Sequence, residues 1–247
     1  NYPILLPINS MIDNGYLKDF PHFAIFCTHI SCCSNNLQNF QSNFNSNKKK
    51  IFSKPISILA PSVCFHTFES LRNKKIKNIK IITAKNIVHR NEGFAYSNIK
   101  RLQSFNMREI IFFGKKKFVT EFREKQIKAL SSIFSSWDLS FEIKTATDNF
   151  FSNNETVKKK YQSVFRTKYE LDIYLPFDNS YLSSGSFNLH FDHLCNAYKI
   201  KVNSKDKLYS GCVGFGLERF VYSMFCQFGL NLKLWPKMII KQLKLKV

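Results

Sequence analysis

The chain has 247 residues, a formal net charge of +20 and 44% hydrophobic residues. That is enough apolar material for one large domain, or one domain with an appendage. No run of about 18 apolar residues is present, which excludes an ordinary membrane-spanning helix, and the opening NYPILLPINS lacks the charged start and cleavage site of a signal peptide.

The charge is compatible with nucleic acid, an anionic membrane surface or an acidic protein partner. Lys outnumbers Arg, and Asn, Ile and Phe are abundant. An AT-rich genome gives that mixture without selection for binding, so about half of the excess charge is ascribed to it. The 7 cysteines are scattered, odd in number and without a secretory context. They read as reduced thiols of a cytoplasmic protein. The first residue, Asn1, suits a fragment of a longer product.

Residues 1–33 contain a short helix and then an apolar run, His22 to Cys27. Cys27, His29, Cys32 and Cys33 have no common metal-site spacing and read as ordinary side chains. Ser34 to Lys50 is rich in Asn, Ser and Lys and reads as a loop or disordered insertion. Residues 1–50 are thus an N-terminal segment with a polar insertion, and 51–247 the main domain. Ile56 to Phe68, carrying Cys64 and His66, reads as a buried strand pair turning at Ala60-Pro61. Ile79–Ile82 and Ile87–Arg90 read as further strand. The chain returns at Phe105–Gly114, so Arg90 to Gly114 is an antiparallel hairpin with a long polar loop and room for a ligand. Val119 to Phe134 has helical spacing. A strand is expected at Ser140–Ile143, a loop at Thr145–Phe151, a basic helix at Asn153–Phe165 and strands at Lys168–Leu175 and within Ser186–Ile200. The order strand, Gly214-x-Gly216, Arg219, apolar helix closes the chain, with the helix starting at Glu218. Glycines admit a close, flat ligand, and a guanidinium fork holds polyphosphate. The third glycine of the dinucleotide fingerprint is missing. Strands dominate the middle with little βαβ alternation, so the class is α+β with an antiparallel sheet flanked by helices.

Three features now combine: Arg90-x-Glu92 at a strand end, Glu109 on the returning strand, and Gly214-x-Gly216-x-x-Arg219. Together they resemble the second motif (Phe-Arg-x-Glu) and third motif (Gly-x-Gly-x-x-x-Arg or near it) of class II aminoacyl-tRNA synthetases. His89 stands in place of the Phe. Cys64, Glu109 and Cys212 make three zinc ligands with the fourth position open, the arrangement of a working zinc. That set is similar to the zinc-dependent seryl-tRNA synthetases of methanogens and to their shortened relatives, the amino acid:[carrier protein] ligases. The strings APSVCFH (60–66), FNMRE (105–109), TDNFF (147–151), SFNLHFDH (186–193) and CVGFGLER (212–219) look like the carrier-protein ligases. The resemblance covers roughly residues 55–235, and implies a class II catalytic domain within 51–247, after an N-terminal segment shorter than the family's.

The resemblance implies ATP-dependent activation of a small amino acid, glycine or alanine, and its transfer to the phosphopantetheine thiol of a holo acyl carrier protein. Arg90 would stabilise the α-phosphate and Arg219 the γ-phosphate end. Glu92 would take the adenine amino group or brace the loop, and Gly216 would also line the ATP site. Glu170, Ser186 and Asn188 are candidates near ATP and its Mg²⁺. Zinc on Cys64, Glu109 and Cys212 would receive the substrate α-amino group, with Asp148 beside it. A homodimer is expected, with the carrier docking on Lys158-Lys159-Lys160, and no tRNA or membrane partner; no coiled-coil tRNA arm is visible. The alternatives are tRNA charging in the manner of the zinc-dependent seryl enzymes, a non-catalytic paralogue binding nucleotide or amino acid, and a structural zinc protein.

Overall fold

The computed structural model describes residues 2–30, 40, 52–93, 98–151, 154–203 and 206–246. Cys32, Cys33 and the polar insertion at 34–50, apart from Phe40, lie outside the described residues. In chain order come β1 (Leu5–Pro7), α1 (Ile8–Asp13), α2 (Tyr16–Asp19), β2 (Phe26–Cys27), β3 (Ser57–Leu59), α3 (Val63–Ser70), β4 (Lys75–Ile76), β5 (Lys80–His89) and β6 (Ser104–Gly114). Then follow α4 (Lys116–Ser136), β7 (Phe141–Thr145), α5 (Glu155–Val164), β8 (Lys168–Leu175), β9 (Ser180–Phe191) and α6 (His193–Ala197). The last elements are β10 (Lys201–Val202), β11 (Tyr209–Gly216), α7 (Leu217–Phe228) and α8 (Lys237–Leu243).

Six strands form one sheet in the order β5-β6-β11-β9-β8-β7, and every neighbouring pair is antiparallel. Side chains alternate across a strand, so each strand serves two layers. Phe112, Leu171, Ile173, Phe187 and Val213 face one side. There they pack with Val119 and Phe134 of α4 and Met224 of α7. Ala84, Val88, Ile111, Phe113 and Cys212 face the other, under Val63, Phe68 and Tyr198. A third cluster joins the N-terminal segment to the body: Leu6 and Met11 pack on Ile58 and Ala60, and β1 and β2 both pair with β3.

The α+β class and antiparallel sheet agree with the sequence reading; the segment after Pro61 does not. Residues 63–70 form α3, so Cys64 and His66 stand on a helix. β-formers fill that stretch, but Pro61 ends the strand. Val63, Cys64, Thr67 and Phe68 then bury one helical face. The expected breaks at 83–86 and before Ser186 are also absent: β5 pairs with β6 from Lys80 to His89, and β9 begins at Ser180. Polar residues there sit on exposed or ligand-facing positions of continuous ladders.

Candidate active site

Glu109 is buried and lies against the start of α3. Its Oε1 accepts from the Ser62 hydroxyl at 2.7 Å and the Val63 N–H at 3.0 Å. The carboxylate thus satisfies one orphan N–H of the helix N-terminus. The second oxygen, Oε2, is buried without a hydrogen-bond partner. Cys64 follows one residue into α3, and Cys212 reaches in from β11. One ligand atom from each of Cys64, Glu109 and Cys212 lies within 4.8 Å of the others, and all three residues are buried. Gly214 pairs with Glu109, and a Cβ there would come 3.1 Å from Glu109 Cγ. Its bareness makes room for the carboxylate. The Cys64 thiol beside it, burial and the Glu109 carboxylate push the Cys212 thiol well above its ordinary range.

This donor set fits a zinc ion. Two sulfurs on tetrahedral zinc sit about 3.8 Å apart at Zn–S bonds of about 2.3 Å. A cation would take up the orphaned Oε2 and displace the thiol protons. Three protein ligands leave one position for a small molecule.

The strand register extends the site across the sheet. Ala84, Glu109, Gly214, Ser186 and Glu170 form one row over β5, β6, β11, β9 and β8. Ile82, Ile111, Cys212, Asn188 and Lys168 form the next. At about 4.8 Å per strand, Glu170 is about 14 Å from Glu109, a span suited to an extended ligand. Asn188 does not face open space: its Nδ2 donates to Ser186 Oγ at 3.0 Å and to Cys212 Sγ at 3.6 Å. Lys168 binds Asp148 at 2.5 Å and Glu170 at 2.8 Å. Gln162 Nε2 also donates to Asp148 at 2.7 Å. Burial raises the Asp148 pKa, but Lys168, Gln162 and Arg90 together outweigh it and hold the carboxyl below its usual value. Asp148 is therefore a fixed anion.

The cations gather beyond Gly216. Arg90 Nε donates to the Pro61 carbonyl at 2.9 Å, with its guanidinium 5.4 Å from the Phe105 ring centre. Arg219 Nη1 donates to the Ser183 carbonyl at 3.1 Å. Burial lowers the Arg219 pKa; Glu92 and Glu170 oppose this, while Arg90 and Arg101 add to it. Glu92 lies 3.8 Å from Arg101. Three guanidinium groups thus share a neighbourhood with Glu92 and Glu170. A Cβ at Gly216 would meet nothing within 4 Å, so backbone is bared there to a ligand.

The structure brings Cys64, Glu109 and Cys212 together, sets Ser186 and Glu170 in one register row with Glu109, and adds other residues. Lys168 and Arg101 read as ordinary charges in the sequence. Tyr16 carried no motif at all, yet Arg90, Glu92, Asp148 and Cys64 all act on its hydroxyl, and burial drives its pKa up. The N-terminal segment delivers it: Phe151 N–H donates to the Asp19 carbonyl at 2.7 Å and Asn91 N–H to the Phe23 carbonyl at 3.0 Å. A separate apolar groove of about 740 Å³, lined by Leu217, Val221, Tyr222, Phe225 and Leu230, contains none of these candidates.

No family model matches the chain. It is 23% identical over 264 residues to a type-2 serine–tRNA ligase of Methanopyrus kandleri, covering 98% of this chain and 50% of that protein. It is 25% identical over 240 residues to amino acid–[acyl-carrier-protein] ligase 1 of Bradyrhizobium diazoefficiens, covering 95% of this chain and 73% of that one. A crystal structure of M. kandleri SerRS in complex with A. aeolicus tRNASec superposes with a TM-score of 0.81 at 20% identity, over 98% of this chain and 51% of that one. The chain spans about half the length of the type-2 serine–tRNA ligase it matches. No helix of the described residues is long and apolar enough to cross a membrane. The fold is that of the class II aminoacyl-tRNA synthetase catalytic domain, and the chain is similar both to type-2 serine–tRNA ligases and to amino acid–[acyl-carrier-protein] ligases.

Proposed function

We propose that the protein is an ATP-dependent ligase. It activates a small amino acid, glycine or alanine, as the aminoacyl-adenylate and passes it to the phosphopantetheine thiol of an acyl carrier protein. The observation that carries this reading is the buried Cys64–Glu109–Cys212 triad with its unpaired carboxylate oxygen. Arg90, bonded to the Pro61 carbonyl, stands next to Ser62, which bonds Glu109 of that triad. Residues 51–247 are the catalytic domain on this reading, working as a homodimer, and the N-terminal segment adds Tyr16.

In the first half-reaction a carboxylate oxygen of the amino acid attacks the α-phosphorus of ATP, and the bond to pyrophosphate breaks. Arg90 offsets the charge gathering on the α-phosphate, and Arg219 holds the γ-phosphate end. Glu92 accepts from the adenine amino group or braces the loop, and the bared backbone at Gly216 lets the nucleotide lie flat. Glu170 and Ser186, with Asn188 behind them, would support Mg²⁺. Cys64, Glu109 and Cys212 would hold zinc, which would supply a Lewis-acid site for the neutral substrate amine. Asp148, kept anionic by Lys168, adds a fixed negative charge on the same side. In the second half-reaction the carrier thiolate attacks the activated carbonyl and AMP leaves with the bonding pair. Positioning of the thiol does most of the work there.

The exposed side of α5 supports a carrier partner. Val157, Tyr161 and Val164 are 49–67% exposed along it. Lys158 and Lys159 are paired with Asp19 and Glu155, which leaves Lys160 outward.

The test supplies the protein with ATP, Mg²⁺ and labelled glycine or alanine, and follows acid-precipitable label on a holo carrier protein and on bulk tRNA. Label on the carrier alone is expected. Label on tRNA would replace this reading with tRNA charging, which the similarity to type-2 serine–tRNA ligases supports. Label on neither acceptor, with zinc bound, would favour a non-catalytic role.

A further inference from the structure

We infer that His190 is a positioning residue for Cys212, donating its Nε2–H to Sγ and so fixing the sulfur that would hold the metal. The inference rests on the metal reading above. The distances are direct: His190 Nε2 is 3.5 Å from Cys212 Sγ, and Nδ1 is 3.3 Å from Ser210 Oγ. The edge-on Phe68 ring, 5.7 Å away between centres, closes the remaining side.

The backbone is built for this aim. Ser210 pairs with Phe191 and Gly211 with Leu189, so His190 is the extra residue of a bulge in β9. Bulges redirect a side chain without ending the ladder. Phe191, the next residue, has φ of 49°, a region that bulky side chains rarely enter. The flanking Leu189 drops into the opposite core, while His190 turns to the sulfur.

The direction of the bonds follows from the chain of partners. A metal-bound thiolate carries no proton, so Cys212 Sγ only accepts, and His190 Nδ1 is left to accept from the Ser210 hydroxyl. The imidazole proton then stands on Nε2, facing Cys212. Asn188 Nδ2 donates to the same sulfur at 3.6 Å. Two N–H groups so placed hold a thiolate in position and moderate its charge. His190 is not itself a ligand: the close cluster comprises Cys64, Glu109 and Cys212 alone among the described residues.

The experiment measures zinc affinity by chelator competition on the folded protein, and the thiolate-to-cobalt charge-transfer band after cobalt substitution. His190→Leu is expected to weaken zinc by about tenfold at unchanged 1:1 stoichiometry and to shift the band. His190→Gln keeps an N–H donor and restores most of both. Ser210→Ala, which frees the imidazole tautomer, gives a smaller change in the same direction and carries the test if His190→Leu does not fold. Unchanged affinity and band in folded His190→Leu or Ser210→Ala overturn the inference. So does X-ray absorption showing an imidazole bonded to zinc in the wild type. A wild type that binds no zinc overturns the metal reading and this inference together.

Discussion

On the face under α4 and α7, the central strands present Phe112, Leu171, Ile173, Phe187 and Val213, each at most 1% exposed. On the opposite face the same strands present Glu109, Cys212, Asn188, Lys168 and Glu170. The first face is satisfied by volume and contact alone. The second is left incomplete: Glu109 Oε2 and Asp172 Oδ1 on its strands, and His66 Nε2 on the covering helix, are buried without partners. Buried unpaired polar atoms cost roughly 1–3 kcal/mol each. One face therefore stabilises the sheet and offsets what the other gives up to stay ready for ligands.

The strongest challenge to that division is Phe112→Ala. Loss of this wholly buried ring from the apolar face is expected to cost about 3–5 kcal/mol, read by chemical denaturation. The folded fraction should still bind zinc with unchanged stoichiometry. Zinc lost at denaturant concentrations where the sheet remains intact would show that the two faces are not separable.

A second, somewhat smaller effect probes the incomplete face. His66 is buried against Tyr2, and burial lowers its pKa from 6.5 to about 4, with Glu69 opposing. Between those values the unfolded chain holds a proton that the native protein lacks, so stability falls as pH drops through this window. The loss approaches roughly 3 kcal/mol below pH 4. Between pH 7 and 5 the wild type should lose about 2 kcal/mol more than His66→Phe. Equal losses in both would remove His66 from the account.

The same contrast explains what could be read in advance. Lys168–Leu175 was legible to the residue because charged residues alternate with apolar or aromatic ones from Lys168 to Ile173. Arg90, Glu109, Cys212 and Arg219 stood out because charged or thiol groups interrupt apolar runs at spacings a known catalytic core uses. Cys64 was rightly grouped but wrongly placed on a strand, since local β-propensity hid a helix whose N-terminus is satisfied by a residue 46 positions away. Tyr16, Arg101 and Lys168 were silent because tertiary packing alone brings them to the site. His190 lay within a quoted string, but only the bulge shows where it aims.

The smallest effect concerns α5, at the rim of the ligand-facing side. Reversing all three lysines would confuse two roles, because Lys158 and Lys159 are tied to Asp19 and Glu155. Asp19 in turn anchors the segment that carries Tyr16, so its loss would disturb adenylate formation as well as docking. Lys160→Glu separates them. A single exposed charge at a docking surface acts mainly on the association rate, and the effect weakens with salt. Transfer to the carrier should slow by about threefold to tenfold at low salt, with pyrophosphate exchange unchanged. Lys158→Glu should lower both. If Lys160→Glu also lowers both, α5 belongs to the catalytic face rather than to its rim. If it lowers neither, the carrier docks elsewhere and the exposed stripe of Val157, Tyr161 and Val164 is no part of its path.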